Sequence, residues 1–235
     1  QIIEMNVSVS INFLVDVEDF LRECLMVGLA HSYDTVGKQW VKPYPEVTGY
    51  LISYFSNKDY SGPSTLKTVS ESAAKLISLQ NQNGGYGSFF NQNFLYTFDT
   101  AQITKGMIDL YEKTGDHKLL DSAIKGADFI CSQQIEGGAV FPLFNLINSA
   151  KYVNNSGGWG ETFSPIQIKC VESLISLHKV VGNDEYLHVT NKILNWGRNA
   201  IQLEFTHPYA YYLEGYLYAG DIDFVRDKLV KNVIN

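Results

Sequence analysis

Long apolar runs are missing from this sequence. None reaches the roughly 18–20 residues a membrane-spanning helix needs, and no charged-then-apolar leader opens it, so no membrane partner is expected. Clustered cations are missing too. Eighteen Lys and Arg stand against 25 Asp and Glu, a formal charge of −7. That balance argues against an electrostatic grip on nucleic acid or on an anionic surface. Cysteine is scarce: Cys24, Cys131 and Cys170 are odd in number, widely spaced and set in apolar helical patterns. They read as buried free thiols, and so as residents of a reducing, cytoplasmic compartment.

Several chemistries lack their motifs. There is no CxxC or HExxH, and His31, His117, His178, His188 and His207 lack ligand spacing, so no metal and no cofactor are expected. "GGYG" (84–87) and "GGWG" (157–160) are not followed by Lys-Ser/Thr, so neither is a phosphate loop. No GxSxG elbow appears, and no DxDD-like acidic run.

Tyrosine is plentiful, with fifteen residues, which points to a tyrosine-lined surface. The 235-residue length suits one large domain with a sizeable core. The chain opens at Gln1 rather than Met, as a processed product or a fragment would. Ile3, Met5, Val7, Val9, Ile11 and Phe13 alternate with polar residues, the period-two pattern of a half-buried strand. We therefore expect a strand segment over 1–15 and a helical domain over 16–235. An unpaired strand invites pairing, so a homo-oligomer or a partner chain is expected.

Helical spacing governs the rest. Val17, Phe20, Leu21 and Cys24 predict a helix within 16–30. Leu66, Val69, Ala73, Leu76 and Ile77 form an amphipathic stripe, as do Leu120, Ala123, Ile124, Ala127 and Ile130. Val189, Ile193 and Trp196 form another, and Ile222, Val225 and Leu229 the last. Between these stripes lie helices starting near Glu46, Asp99, Pro165 and Pro208 that are apolar over most of their surface, as inner helices are. The breaks within pairs look alike: "TGDHKLL" (114–120), "VGNDEYL" (181–187) and "AGDIDFV" (219–225). Gly115, Gly182 and Gly220 read as left-handed helix ends, and the Asp or Asn that follows as the next N-cap. Such hairpins cannot bury their faces alone and must stack on neighbours. This all-α pattern leaves no place for a sheet of several strands across 60–200.

The segments "PEVTGYLISYF", "FDTAQITKGMIDLYEKTGDHKLLDSAIKGADFICSQQ" and "HPYAYYLEGYLYAGD" carry a resemblance. Over about Pro43 to Val230 the chain resembles the six-hairpin α/α-toroid superfamily. That group includes helical glycosidases, polysaccharide lyases and glucuronyl C5-epimerases, and is often labelled prenyltransferase- or squalene-cyclase-like. Four hairpins and the helix at 16–30 make a toroid or partial toroid, which a partner chain would complete. The resemblance implies a carbohydrate-active protein with a saccharide substrate in a central cleft at the inner-helix ends. The reaction expected is glycan hydrolysis, or elimination or epimerisation at a uronate. A non-catalytic glycan-binding ring fragment and a terpenoid- or peptide-modifying enzyme are the alternatives.

Polar groups at the expected inner-helix ends are the candidates for that cleft. Glu46 follows Pro45 in a first helical turn, which favours a carboxylate; Tyr44 and Tyr50 flank it as stacking surfaces. Asp99 is expected to be the N-cap of its helix and also a cleft carboxylate, with Gln102 one turn on. Trp159, in a glycine-rich loop, offers an aromatic platform beside Glu161. His207, Tyr209, Tyr211 and Glu214 crowd the last inner helix, where Tyr and His beside a carboxylate can move protons. Catalysis is expected of Glu46, Asp99, Glu161, His207 and Tyr211, and substrate binding of Tyr44, Tyr50, Gln102, Trp159, Tyr209 and Glu214. Each also has a plain structural reading: cap, core aromatic or solvated first-turn acid. Arginine occurs only at 22, 198 and 226, none at an expected cleft mouth, which shifts the expected substrate towards a neutral sugar.

Overall fold

The computed structural model describes residues 33–40, 44–57, 63–88, 91–199 and 206–231. The alternating segment 3–13, the expected helix within 16–30 and Cys24 lie outside them. A two-stranded antiparallel ribbon, β1 (Tyr33–Asp34) and β2 (Gln39–Trp40), comes first. The body is a chain of helical hairpins, an α/α partial toroid.

Each hairpin pairs an inner with an outer helix. The inner helices are α1 (Pro45–Ser56), α3 (Thr97–Thr114), α5 (Val171–Val181) and α7 (Thr206–Tyr218); the outer ones are α2 (Pro63–Leu79), α4 (His117–Gln133), α6 (Asp184–Arg198) and α8 (Ile222–Leu229). The division follows burial. In α3 the run Thr97–Thr104 is buried on every side, whereas α4 buries one face, the stripe Leu119, Ala123, Ala127 and Ile130 flanked by Ser122, Gly126, Phe129 and Gln133. Those apolar side chains join Val69, Leu76, Ile103, Ile108, Leu174, Leu177, Ile193 and Tyr216 in one core. α1 packs on α3, α3 on α5, and α7 on the segment leading into α5, so the inner helices follow one another around the arc.

The breaks behave as their residues dictate. Gly115 and Gly182 end α3 and α5 in the left-handed region, at φ 73° and 70°, where a side chain would be strained. Asp116, Asn183 and Asp221 then cap α4, α6 and α8, their side chains accepting from the amides of Lys118, Glu185 and Phe224.

Two features differ from the sequence pattern. The first is a four-stranded antiparallel sheet, ordered β3 (Tyr86–Ser88), β4 (Asn91–Tyr96), β5 (Leu143–Asn145) and β6 (Ala150–Tyr152). The expectation of no multi-stranded sheet across 60–200 is thus corrected. Each strand is only three to six residues long, too short for alternation to register, and "NQN" reads as loop. The loops before two successive inner helices zip together here, with Tyr86, Tyr96, Leu143 and Tyr152 in one row. The second is at Pro165, where an α-helix was expected. Pro165–Cys170 instead forms a 3-10 segment capped by Ser164, and α5 begins only at Val171.

Candidate active site

The site begins with a contact between two backbones. A methyl group placed on Gly49 of α1 would lie 2.8 Å from the Cα of Ile103 in α3, and one placed on Gly106 would lie 2.5 Å from the carbonyl oxygen of Gly49. Only glycine allows helices this close. Glu46 lies three residues before Gly49, and Asp99 three before Gln102, whose carbonyl carbon is also against Gly49. The parallel helices therefore bring these two first-turn carboxylates together.

Asp99 is not the N-cap of its helix, contrary to expectation. β4 stays paired through Tyr96, and the helix starts directly at Thr97, so Tyr96 holds the cap position without a side-chain cap bond. Asp99 falls on the third residue of the first turn. Glu46 is the second residue of α1, after Pro45, as its sequence predicts.

Burial dominates the acidity of the pair. Asp99 is only 3% exposed. Burial raises its pKa to about 7, against the opposing hydrogen bonds of the Tyr44 hydroxyl and its own amide. Burial also raises Glu46, to about 8, helped by the charge of Asp99 and opposed by a hydrogen bond from Tyr44. Each tenfold change in acidity is worth about 1.4 kcal/mol, so burial outweighs the ~0.3–1 kcal/mol that a helix N-terminus offers an anion. The two carboxyls are coupled, and burial holds both protonated well above the usual carboxylate range. One oxygen of Asp99, Oδ2, is buried with no hydrogen-bond partner among the described residues.

A second tyrosine extends the chain of groups. The Tyr96 hydroxyl donates to Glu161 Oε1 at 3.3 Å, while Asn154 Nδ2 donates to Oε2 at 2.7 Å. Burial and the charges of Glu161 and Asp99 push the Tyr96 pKa up, so it remains a donor. Gly157 sits against the same carboxylate, with no space for a side chain. Trp159 lies in the short 3-10 turn that ends at Glu161. Acid, tyrosine, acid, tyrosine, acid thus run from Glu46 through Tyr44, Asp99 and Tyr96 to Glu161.

The opposite wall comes from α7 and the 3-10 segment. His207 stands exposed at the entry of α7 with its ring 4.6 Å from that of Tyr211. The Tyr211 and Tyr50 hydroxyls lie near each other in a geometry short of a good hydrogen bond, and both feel the charge of Glu46. Beneath them sits Lys169, 6% exposed. Its Nζ is 3.0 Å from Glu172 and 2.5 Å from Glu214, and it faces the rings of Tyr211 and Tyr50 at 5.5 and 5.9 Å. Burial alone would lower the Lys169 pKa, but the two carboxylates raise it. Lys169, Glu172, Tyr96 and Asn154 are absent from the residues singled out by sequence. A lysine inside the apolar "PIQIKCVESL" was the available signal for the first.

Two expected substrate-binding residues turn away from these carboxylates. Tyr209 stacks on Tyr212 and donates to the carbonyl of Lys228 in α8, so it points outward. Its place on α7, three residues before Tyr212, turns it to the outer-helix side. Gln102 is 4% exposed, and its amide reaches back to the Phe98 carbonyl at 3.5 Å; it fills the seam between α1 and α3. Cys131 and Cys170 are free thiols, the first half-buried and the second buried. Among the described residues no group of three His, Cys, Asp or Glu is arranged to hold a metal, and no helix is long and apolar enough to cross a membrane.

No protein-family profile and no curated protein sequence matches the chain. Solved structures do share its fold. A sugar epimerase from a ruminal bacterium superposes with a TM-score of 0.63 at 16% identity, over 87% of this chain and 62% of its own. For D-mannose isomerase the values are 0.62, 14%, 83% and 59%. For the GH76 α-mannanase of Bacteroides thetaiotaomicron they are 0.59, 15%, 79% and 56%. The chain therefore spans less than two thirds of the length of these structures, and the likeness is one of fold.

Proposed function

We propose that this chain is a carbohydrate-active enzyme whose acid–base chemistry is centred on Glu46, and that hydrolysis of a glycosidic bond is its reaction. The carrying observation is the buried pair Glu46–Asp99, poised to exchange a proton near neutral pH. A catalytic acid works best when its pKa lies near the working pH. Glu46, half-buried, is the proton donor to the bridging oxygen. Asp99, fully buried behind it, is a positioning residue that keeps Glu46 protonated. Glu161, held by two donors, is the second carboxylate that glycoside hydrolysis requires. Tyr50 and Tyr211 supply aromatic groups to the same cleft. Its acidic, hydroxyl-rich lining is unsuited to a hydrocarbon substrate. The folds of a sugar epimerase, an isomerase and a mannanase agree with a sugar ligand.

A second reading is isomerisation or epimerisation of a reducing sugar, favoured by His207 against Tyr211 beside the acid pair. The test is product analysis after incubation with neutral oligosaccharides and with reducing monosaccharides. Cleavage lost in Glu46→Gln supports hydrolysis, by a factor of ~10²–10⁴ for a catalytic acid. Conversion of the monosaccharide without cleavage selects the second reading. Turnover unchanged in Glu46→Gln removes both.

A further inference from the structure

Lys169 is a buried cation with two carboxylates bonded to its ammonium. Glu172 and Glu214 hold its ammonium at 3.0 and 2.5 Å, and its side chain is 8% exposed. Two tyrosine ring faces close over it. An ammonium has three N–H donors and no others. With two carboxylates already on this one ammonium, a substrate carboxylate would be a third anion on a single buried cation. The elements that carry the pair meet through their backbones: a methyl group on Gly215, next to Glu214, would lie 2.7 Å from the carbonyl oxygen of Ile168, next to Lys169.

The remaining charge of the site has one sign. Glu161 adds a carboxylate beside Glu46 and Asp99, which burial keeps protonated up to about pH 8 and 7, and the Lys169 triad carries two carboxylates for one ammonium. The neighbouring Lys105 is also spent, bonded to Asp109 at 2.5 and 2.6 Å. An anionic sugar entering here meets the negative charge of Glu161 and of the triad, while Lys169 and Lys105 are already ion-paired. A neutral sugar meets hydroxyl-matching donors and acceptors and loses nothing.

We propose that the ion-paired Lys169 triad makes the cleft selective for uncharged sugars and closes it to uronates, a reading that rests on the saccharide site proposed above. It makes Glu172 and Glu214 specificity-determining residues that work by neutralising Lys169. Discrimination against a uronate of matched length is on the order of tenfold or more at low salt.

The test uses the full chain on an array of neutral and uronate-containing oligosaccharides of matched length, with calorimetry on the strongest neutral ligand and its uronate counterpart. The expected result is binding to neutral glycans only. Glu214→Gln, which removes the more exposed of the two carboxylates, should narrow the gap by roughly tenfold by raising uronate affinity. A salt series on the unmodified protein gives the same answer without a variant. Raising ionic strength from about 0.01 to about 0.1 M shortens the screening length from ~30 to ~10 Å, so uronate binding should strengthen and neutral binding stay level. Uronate binding as tight as neutral binding, or weakened by salt, overturns the proposal and leaves the saccharide site standing. Binding to no glycan of either kind overturns the saccharide site and this proposal with it.

Discussion

Gly49 and Ile103 touch through their backbones, and the Glu46–Asp99 pair depends on that touch. A methyl group at Gly49 would sit 2.8 Å from both the Cα and the amide nitrogen of Ile103. Both partners are helical backbone, so neither can swing aside. Gly49→Ala should therefore cost ~1–3 kcal/mol, as overpacked cores do, read by urea denaturation. It should also separate Glu46 from the charge of Asp99 and lower the Glu46 pKa. Gly137→Ala, where a methyl group meets nothing within 4 Å, is the control and should leave both quantities unchanged.

The same pair sets a pH dependence of stability. Both carboxyls hold protons in the folded chain up to about pH 7 and 8, whereas in the unfolded chain they ionise near pH 4. Between those limits the folded state binds more protons, so stability falls as pH rises, at about 1.4 kcal/mol per pH unit for each group. The contribution is complete below about pH 4 and gone above about pH 8. Asp99→Asn should flatten the decline. Denaturation midpoints at several pH values from 5 to 9 check this, and a wild-type curve rising with pH across that range would contradict the buried pair.

Much of the helical architecture was legible because its signals are local and repeated. The Gly-Asp and Gly-Asn breaks at 115–116 and 182–183 combine a residue that tolerates positive φ with a good cap, and both act as such. The stripe on α4 needs no knowledge of its partner. The sheet was illegible for the opposite reason: β4 pairs with β5 across some fifty residues, and strands of three residues carry no period. That one omission misplaced the start of α3, and so turned Asp99 from the third residue of the first turn into an expected cap. Glu46 and Asp99 could be singled out because they stand in the first turns of inner helices, and Glu161 because it follows a glycine-rich loop. Lys169 was missed because its partners Glu172 and Glu214 come from two elements. Tyr209 was misassigned because its side of α7 is set by α8.

Gly157 is expected to matter for chemistry more than for folding. Any side chain there would meet the Glu161 carboxylate and Asn154 Nδ2. Gly157→Ala should push Glu161 off its hydrogen bonds to Tyr96 and Asn154 while leaving the helical core intact. If Glu161 is the second carboxylate, kcat should fall by ~10²-fold, the loss that misplacement by about 1 Å brings. The melting temperature should move by no more than a degree or two, as surface-loop changes do. A full loss of stability with unchanged kcat would make Gly157 a folding residue and remove Glu161 from the mechanism.

Asp99 can be separated from Glu46 by the shape of the pH–rate profile. Its charge is one of the causes that hold the Glu46 pKa at about 8. Asp99→Asn removes that charge and keeps the size of the side chain. With Asp99 as a positioning residue, Glu46 loses its proton at lower pH, so the alkaline limb of kcat should shift downward by roughly one pH unit, a typical effect of one nearby charge. Activity at the acid end should persist. A loss of all activity at every pH, with the variant still folded, would place Asp99 in direct contact with the reacting atoms.

Lys169 supplies the last prediction. Its side chain is 8% exposed, Glu172 14% and Glu214 49%. Lys169→Met keeps the length and removes the charge. Glu214 can turn to water, but Glu172 cannot, so the cost falls on Glu172. Removing one member of a buried pair costs ~3–5 kcal/mol. Burial already raises the Glu172 pKa, and Lys169 opposes that rise. Without Lys169, Glu172 should hold a proton to higher pH, and the variant should recover stability as the solution is made acidic. Glu172→Gln added to Lys169→Met should restore most of the loss at neutral pH, because a neutral amide needs no counter-charge. A double-mutant cycle in urea at pH 5 and pH 8 measures the coupling. Equal and additive losses at both pH values would show that Lys169 acts through packing on Tyr50 and Tyr211 rather than through charge.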